Sequence, residues 1–433
     1  MVEQSFPHLP VMTDPIESAG LFVMVASDPS RPETAAAPAA SERSPFARLT
    51  ELLAPFEPGQ KLINLSLGEP QHPMPPFLGE VLAKNLGDFN RYPPSNGIPA
   101  LRAAVSVWLS RRYTLPRALD PESEVLVLNG SREGLFHAAI AAAAFVGPRR
   151  GAPAILMPNP FYPAYAAAAR GANCEAVFLP ATRETGFLPD LDALDEALLA
   201  RTVAIYIASP ANPQGSVATP AYFARLSELA TRYGFMVLSD ECYSEIYTQT
   251  PPGSILENSG PDFKNVVAFQ SLSKRSNLPG LRVGFVAGDR AFIRRFHEWR
   301  NVAAPQVPMP LQHVGAAAYQ DEAHVEVSRD LYRQKFDAAD IVLGNRFNYR
   351  RPAGGFCVWL DVSAYGGDEA ATIKLFREGG VRVLPGSYLA RTGSDGLNPG
   401  AGYIRVALVQ AADTTTEALR RMVDVLNDHE ARG

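Results

Sequence analysis

The chain has 433 residues, a formal net charge of −5 and 46% hydrophobic residues. That length suits roughly two to three domains around a sizeable core, and the mild acidity gives no footing for nucleic acid or an anionic membrane as a partner. Cys174, Cys242 and Cys357 are odd in number and show no Cys-x-x-Cys spacing. This argues against a disulfide framework or a cysteine zinc site, so no metal is expected and a reducing cytoplasm is. No apolar run reaches the ~18 residues needed to span a bilayer.

Residues 1–43 carry six acidic and two basic residues, with Pro and Ala crowded between Pro29 and Ala40. They read as a disordered extension, and the short apolar run Leu21–Ala26, with no Lys or Arg before it, argues against a secretory signal. From Ser44 the character changes. Ser44-Pro45 before Phe46, Leu49, Leu52 and Leu53 predicts a capped helix. An extended segment over Ile63–Leu67 follows, ending in Gly68-Glu69-Pro70. Pro99–Arg112 predicts a helix with Leu101, Val105, Trp108 and Leu109 on one face.

The middle of the chain alternates strands and helices. Strands are expected at Val125–Leu128, Ala154–Met157, Ala176–Leu179, Val203–Ala208, Phe235–Ser239, Val266–Phe269 and Val283–Ala287. Helices such as Glu133–Phe145 and Pro220–Tyr233 lie between them. Near-continuous apolar strands in this alternation imply an α/β fold whose mostly parallel sheet is covered on both faces. A long helical region runs from Pro310 to about Leu343. A smaller α/β unit follows, with strands Phe356–Leu360, Arg382–Leu384 and Tyr403–Ala407 and helices Asp368–Gly379 and Thr414–Asn427. The expected organisation is an extension (1–43), an arm packing with the small domain (44–75), a large cofactor-binding domain (76–309), an interdomain helix (310–345) and a small domain (346–433).

The polar motifs fall at strand ends, where open α/β sheets bind ligands. Phe269–Gly288 is the centre of the pattern. It delivers Ser271 and Lys274 to a loop, turns at Pro279-Gly280, and brings Arg282 to the start of the next strand. A lysine against an apolar wall can have its amine pKa lowered and become a nucleophile toward carbonyls. Ser271 and Arg282 are partners that a phosphate monoester would take. This points to pyridoxal 5'-phosphate held on Lys274 as a Schiff base; a solvated turn with a surface lysine is the alternative. Asn129-Gly130-Ser131-Arg132-Glu133 opens a helix whose free N–H groups favour a phosphate, although a serine N-cap explains it equally well. In Asn159-Pro160-Phe161-Tyr162 an aromatic could stack on a flat ring or belong to the core. Asn212, in Ser209-Pro210-Ala211-Asn212-Pro213-Gln214-Gly215, could donate to a phenolate-like oxygen or simply shape a turn. Asp240 ends an apolar strand, where a carboxylate needs a cationic partner such as a protonated pyridine nitrogen; an N-cap role competes. Tyr243, three residues on, could reach the ring oxygen. Arg405 lies mid-strand, where a charge demands an anion: a substrate α-carboxylate or a buried structural ion pair.

In their order and spacing these motifs resemble the class I/II aminotransferase family of pyridoxal-phosphate enzymes (fold type I), over about residues 44–430. The resemblance implies a large domain with a mostly parallel seven-stranded sheet between helices, plus a smaller α/β domain. It implies the Schiff-base lysine at Lys274, the phosphate partners at Ser271 and Arg282, and the ring-nitrogen aspartate at Asp240. It likewise implies the ring-oxygen tyrosine at Tyr243, the asparagine of the turn at Asn212, the stacking aromatic at Tyr162, the substrate glycine at Gly68 and the carboxylate arginine at Arg405. Tyr92 matches the tyrosine that reaches the phosphate of a neighbouring subunit, which implies a homodimer with shared sites. The runs 271–289, 130–133 and 241–247, with Arg275 directly after the lysine, look like the succinyldiaminopimelate aminotransferase branch. The expected reaction therefore moves the amino group of N-succinyl-LL-2,6-diaminopimelate to 2-oxoglutarate, a small-molecule donor and a 2-oxo acid acceptor. Arg275 or Arg91 is a candidate for the distal succinyl carboxylate. Alternatives on the same fold are transfer from aspartate, aromatic or unsuccinylated donors, or β-elimination on a cysteine conjugate. A ligand-sensing domain of a transcription regulator would need a DNA-binding module, for which residues 1–43 are too short, too acidic and too rich in Pro and Ala.

Overall fold

The computed structural model of the chain describes residues 43–427. The extension expected over 1–43 lies outside the described residues apart from Arg43. The chain begins with α1 (Pro45–Leu53), β1 (Ile63–Asn64), α2 (Leu78–Lys84) and α3 (Pro99–Arg112). Ser44 caps α1 by accepting from the Phe46 amide, and Pro45 occupies the first turn, where its missing N–H costs nothing. The alternating region runs β2 (Val125–Leu128), α4 (Ser131–Val146), β3 (Ala154–Asn159), α5 (Pro163–Gly171), β4 (Glu175–Pro180), α6 (Glu196–Arg201), β5 (Thr202–Ala208) and α7 (Pro220–Tyr233). It continues with β6 (Met236–Asp240), β7 (Val266–Ser271), α8 (Leu272–Arg275), β8 (Gly284–Gly288) and α9 (Arg290–Ala303). Two helices, α10 (Met309–Gln320) and α11 (Ala323–Leu343), lead to β9 (Cys357–Asp361), α12 (Asp368–Gly379), β10 (Val381–Arg382), β11 (Leu384–Pro385), β12 (Tyr403–Ala407) and α13 (Ala412–Asn427).

Seven strands form one sheet in the order β2-β8-β7-β6-β5-β3-β4. Only β8 runs against its neighbours, antiparallel to both β2 and β7. Because successive side chains alternate between faces, an apolar run buries both. Val127, Leu156, Ile205, Val237, Ala268 and Phe285 join one core with Trp108 of α3, Phe223 of α7 and Val314 of α10. Leu126, Ile155, Tyr206, Leu238, Val267 and Val286 join the other with Leu135 of α4, Tyr165 of α5 and Phe296 of α9. The fold is α/β with a mostly parallel seven-stranded sheet between helices. A separate core lies under β9 and β12, where Val358, Leu360, Ile404 and Val406 pack on Phe336 of α11, Leu375 of α12 and Leu419 of α13.

Two expected elements are divided. The strand expected over Arg382–Leu384 is two short ones: β10 pairs in parallel with β1, while β11 pairs antiparallel with β12. The backbone around Val383 thus turns from one partner to another. The expected helical run to Leu343 breaks at Asp321, which is extended and whose carboxylate accepts from the His324 amide at 3.1 Å. Beyond β1 the chain stays bonded, with the Leu65 amide donating to the Arg382 carbonyl and its carbonyl accepting from Ala407 N, both at 2.8 Å.

Trp108 is 1% exposed and meets Tyr113, Phe285 and Tyr319 edge-on or tilted. Trp108→Ala is expected to cost about 3–5 kcal/mol of stability through the cavity left between α3 and the sheet. Denaturant unfolding checks this; an unchanged midpoint would contradict that packing.

Candidate active site

Strands β3, β5, β6 and β7 are parallel, so their carboxyl ends share one edge of the sheet. They deliver Tyr162, Asn212, Asp240–Tyr243 and Ser271–Lys274 there. Since β8 is antiparallel to β2 and β7, β2 also ends at that edge and β8 begins there. Gly284 at the start of β8 faces Leu128 on one side and Ser271 on the other. Ser131 of α4, Ser271 and Arg282 therefore converge.

Their contacts form an anion cradle. Helix α4 has 16 residues and no side-chain cap at its N-terminus, so free N–H groups and the helix dipole point at the site. Glu133 accepts from the Asn129 amide at 2.7 Å and pairs with Arg300, which fixes this turn. Gly130, at φ 74°, lies against the Arg282 guanidinium, and a methyl group there would collide with it. Arg282 itself sits at φ 57° and bonds only carbonyls, Pro279 at 2.8 Å and Asn129 at 3.4 Å. Among the described residues no carboxylate pairs with it. Ser271 caps α8 by accepting from the Ser273 amide at 3.1 Å, and its hydroxyl meets that of Ser273 at 2.9 Å.

Lys274 follows within α8. Its Nζ donates to the Gly68 carbonyl and lies 5.7 Å from the Tyr243 ring centre and 5.1 Å from that of Phe356. Burial pushes the amine down to about 8. The Phe356 ring also covers Gly68, where a Cβ would touch it at 3.4 Å. Asp240 is held by Tyr165, whose hydroxyl donates at 2.7 Å, and by the Cys242 amide at 3.3 Å. Burial raises the Asp240 carboxyl above its usual range, so its charged form needs a cation that these two donors do not supply. Tyr165 stacks flat on Tyr206 at 4.3 Å, which holds its hydroxyl in place. Arg132 donates to the Tyr162 hydroxyl at 2.6 Å, and Tyr162 meets Tyr165 edge-on.

From the smaller sheet, Arg405 of β12 reaches the same region. It donates to Asn212 Oδ1 at 3.3 Å and to the Ser66 carbonyl at 2.5 Å. It is 4% exposed, its Nε is buried without a partner, and no carboxylate among the described residues pairs with it. A structural ion pair, the competing expectation for Arg405, is thus not what the structure contains. Asn212 also donates toward the Tyr243 hydroxyl at 3.4 Å. Tyr92 is 99% exposed, open to a neighbouring subunit. One expectation is displaced. Arg275 is 2% exposed and bound to Glu322 at 2.6 Å and to the Ala318 carbonyl at 2.7 Å, so it cannot meet a substrate carboxylate. Sequence reasoning missed Tyr165, the partner of Asp240, and Ser273, bonded to Ser271; Tyr165 carries a faint signal, in the first turn of the helix that Tyr162 precedes. Among the described residues no cluster of His, Cys, Asp or Glu could hold a metal, and no helix is long and apolar enough to cross a membrane.

A crowded lysine, an anion cradle beside it, a carboxylate hydrogen-bonded by neutral donors and a buried guanidinium with no carboxylate partner together suit a phosphorylated, carbonyl-bearing pyridine and an acidic substrate. Ser271, Arg282 and the α4 N-terminus could hold the phosphate, Asp240 the ring nitrogen and Tyr162 the ring face. These features define a site for carbonyl chemistry on amines. The chain matches the family described as aminotransferase class I and II over residues 60–426. It is similar to a crystallised aminotransferase from Neisseria meningitidis Z2491, 37% identical, covering 89% of this chain and 98% of that one with a TM-score of 0.83. It is similar too to aminotransferase AspB from Helicobacter pylori 26695, 32% identical, covering 89% and 99% with a TM-score of 0.81. A protein named LL-diaminopimelate aminotransferase from Desulforudis audaxviator (strain MP104C) is 32% identical over 384 residues, 87% of this chain and 94% of that one. The chain belongs to the class I and II aminotransferases and is a pyridoxal-phosphate-dependent enzyme.

A protonated Lys274 cannot attack a carbonyl, so uptake of pyridoxal phosphate by the apoprotein should quicken as pH rises through about 8 and level off above it. Stopped-flow absorbance after mixing reads this directly. A rate that falls or stays flat over that interval would contradict the placement of Lys274.

Proposed function

We propose that the enzyme transfers the amino group of N-succinyl-LL-2,6-diaminopimelate to 2-oxoglutarate in diaminopimelate and lysine biosynthesis. The carrying observation is Arg405, a buried guanidinium with no carboxylate partner among the described residues, close enough to Lys274 for its charge to lower that amine. It would bind the α-carboxylate of the amino donor and then that of the 2-oxo acid, so one anchor serves both half-reactions. Bound in this site, pyridoxal phosphate supplies an electrophilic carbonyl and an electron-accepting ring. Lys274 would hold the cofactor, and its amine is the base that would move the proton at the donor's Cα. Asp240, oriented by Tyr165, keeps the proton on the ring nitrogen. Asn212 and Tyr243 address the ring oxygen, and Tyr162 covers the ring face with Arg132 pinning its hydroxyl. Ser131, Ser271 and Arg282 hold the phosphate, and Gly68 leaves room for the substrate beside Phe356. The arm at 44–75, the large domain at 76–309, the connecting helices at 310–345 and the small domain from 346 are the proposed divisions. Tyr92, with Leu86 and Phe89 also exposed nearby, suits a homodimer in which it reaches the partner's phosphate. The cytoplasm is the proposed compartment.

A second reading is supported by the name of the relatives, LL-diaminopimelate aminotransferase: the donor would be the free, unsuccinylated diamino acid. With Arg275 committed to Glu322, exposed Arg91 is the remaining candidate for a distal succinyl carboxylate. Steady-state assays with 2-oxoglutarate and a donor panel separate the readings. The succinylated donor should give the highest kcat/KM with ping-pong kinetics. Preference for the free diamino acid would replace the first reading with the second. Aspartate or aromatic preference, or release of pyruvate and ammonia, would remove both.

A further inference from the structure

The stretch Ser66–Pro75 crosses the site and lends it two backbone carbonyls: Ser66 accepts from Arg405 and Gly68 from Lys274. Its ladder bonding ends at Leu65, and Pro70, Pro73 and Pro75 remove backbone donors beyond it. Side chains hold it instead. The His72 ring lies between Lys335 Nζ, 2.7 Å from its Nε2, and Ser328 Oγ, 3.0 Å from its Nδ1. Asn277, three residues after Lys274, donates to the Pro73 carbonyl at 3.3 Å and to Ser328 Oγ at 3.2 Å. Ser328, Tyr332 and Lys335 share one face of α11. Tyr332 lies 4.3 Å from the His72 ring and stacks on Phe356, the ring beside Lys274 and Gly68.

Lys335 is the unexpected member. It is 2% exposed, and among the described residues no carboxylate pairs with it; besides His72 it donates to the Leu408 carbonyl at 3.1 Å. Burial lowers Lys335 to about 8 and His72 to about 4. Near neutral pH the imidazole is therefore uncharged and accepts from the ammonium, which leaves its Nδ1–H to donate to Ser328. A methionine would fill the same space without burying a charge, so filling the core does not explain a lysine here.

We infer that His72 and Lys335 are positioning residues that fix the Ser66 and Gly68 carbonyls against Arg405 and Lys274. They thereby set the affinity for carboxylate substrates without touching them. This rests on the roles given to Arg405 and Lys274 above.

The test compares holoenzyme of the wild type with Lys335→Met, His72→Leu and His72→Gln. Amide hydrogen exchange of residues 66–78 is read beside KM and kcat. Lys335→Met and His72→Leu should speed exchange in that stretch and raise KM for donor and acceptor together by about tenfold, with kcat within about threefold and no loss of thermal midpoint. His72→Gln, which can still accept from Lys335 and donate to Ser328, should restore both readouts. Unchanged exchange and unchanged KM, or a lowered midpoint with unchanged KM, would overturn the inference. Should Lys335→Met fail to fold, His72→Leu against His72→Gln decides alone. Faster exchange with no KM change would also overturn the inference, leaving only the attachment of residues 66–75. Arg405→Gln, read beside these variants, tests the underlying role of Arg405: it should raise KM for donor and acceptor with exchange over 66–78 near wild type, and an unchanged KM there would refute that role instead.

Discussion

Buried charge persists in a fold only where something answers it, and at one edge of this sheet the protein itself does not. Arg282 and Arg405 meet carbonyls and an amide oxygen but no carboxylate among the described residues, and Asp240 is hydrogen-bonded by a phenol and an amide, with the Lys274 charge near it but not bonded to it. Arg405 is buried and Arg282 and Asp240 are half-buried, so each carries some desolvation that a ligand of opposite charge would offset. Lys274 stands among them with its amine lowered to about 8 by burial. The chemistry of the site follows from this mismatch: two cationic positions for anions, one carboxylate for a cation, one amine for a carbonyl.

The mismatch is sustained by rigid surroundings. The seven-stranded sheet brings five loops with site residues to one edge, and the reversal of β8 returns Arg282 to the loop after Ser271. The smaller sheet supplies Arg405, and the stretch from Ser66 ties both halves together through its carbonyls. Tyr165, braced on Tyr206, and Glu133, paired with Arg300, contact Asp240 and the cradle turn and hold them in orientation.

The strands of the large sheet are legible in the sequence because a strand buried on both faces is a continuous apolar run, and Val125–Leu128 is such a run from end to end; β4, at the sheet edge and only partly buried, is still apolar over Ala176–Leu179. The lysine, serine and arginine are legible because they lie within one local stretch. Partnerships made by folding are not. Tyr165 meets Asp240 across 75 positions, and Lys335 meets His72 across 263. Arg275 misled for the same reason: beside Lys274 in sequence, it points away into α10 and α11. The division of β10 from β11 escaped as well, since two-residue strands carry no periodicity.

The account stands on a covalent attachment at one amine. Borohydride reduction of the holoenzyme followed by peptide mass mapping tests it most directly. The account predicts a single pyridoxyl-phosphate adduct on the peptide containing Lys274. An adduct on another lysine, or none at all, would contradict it.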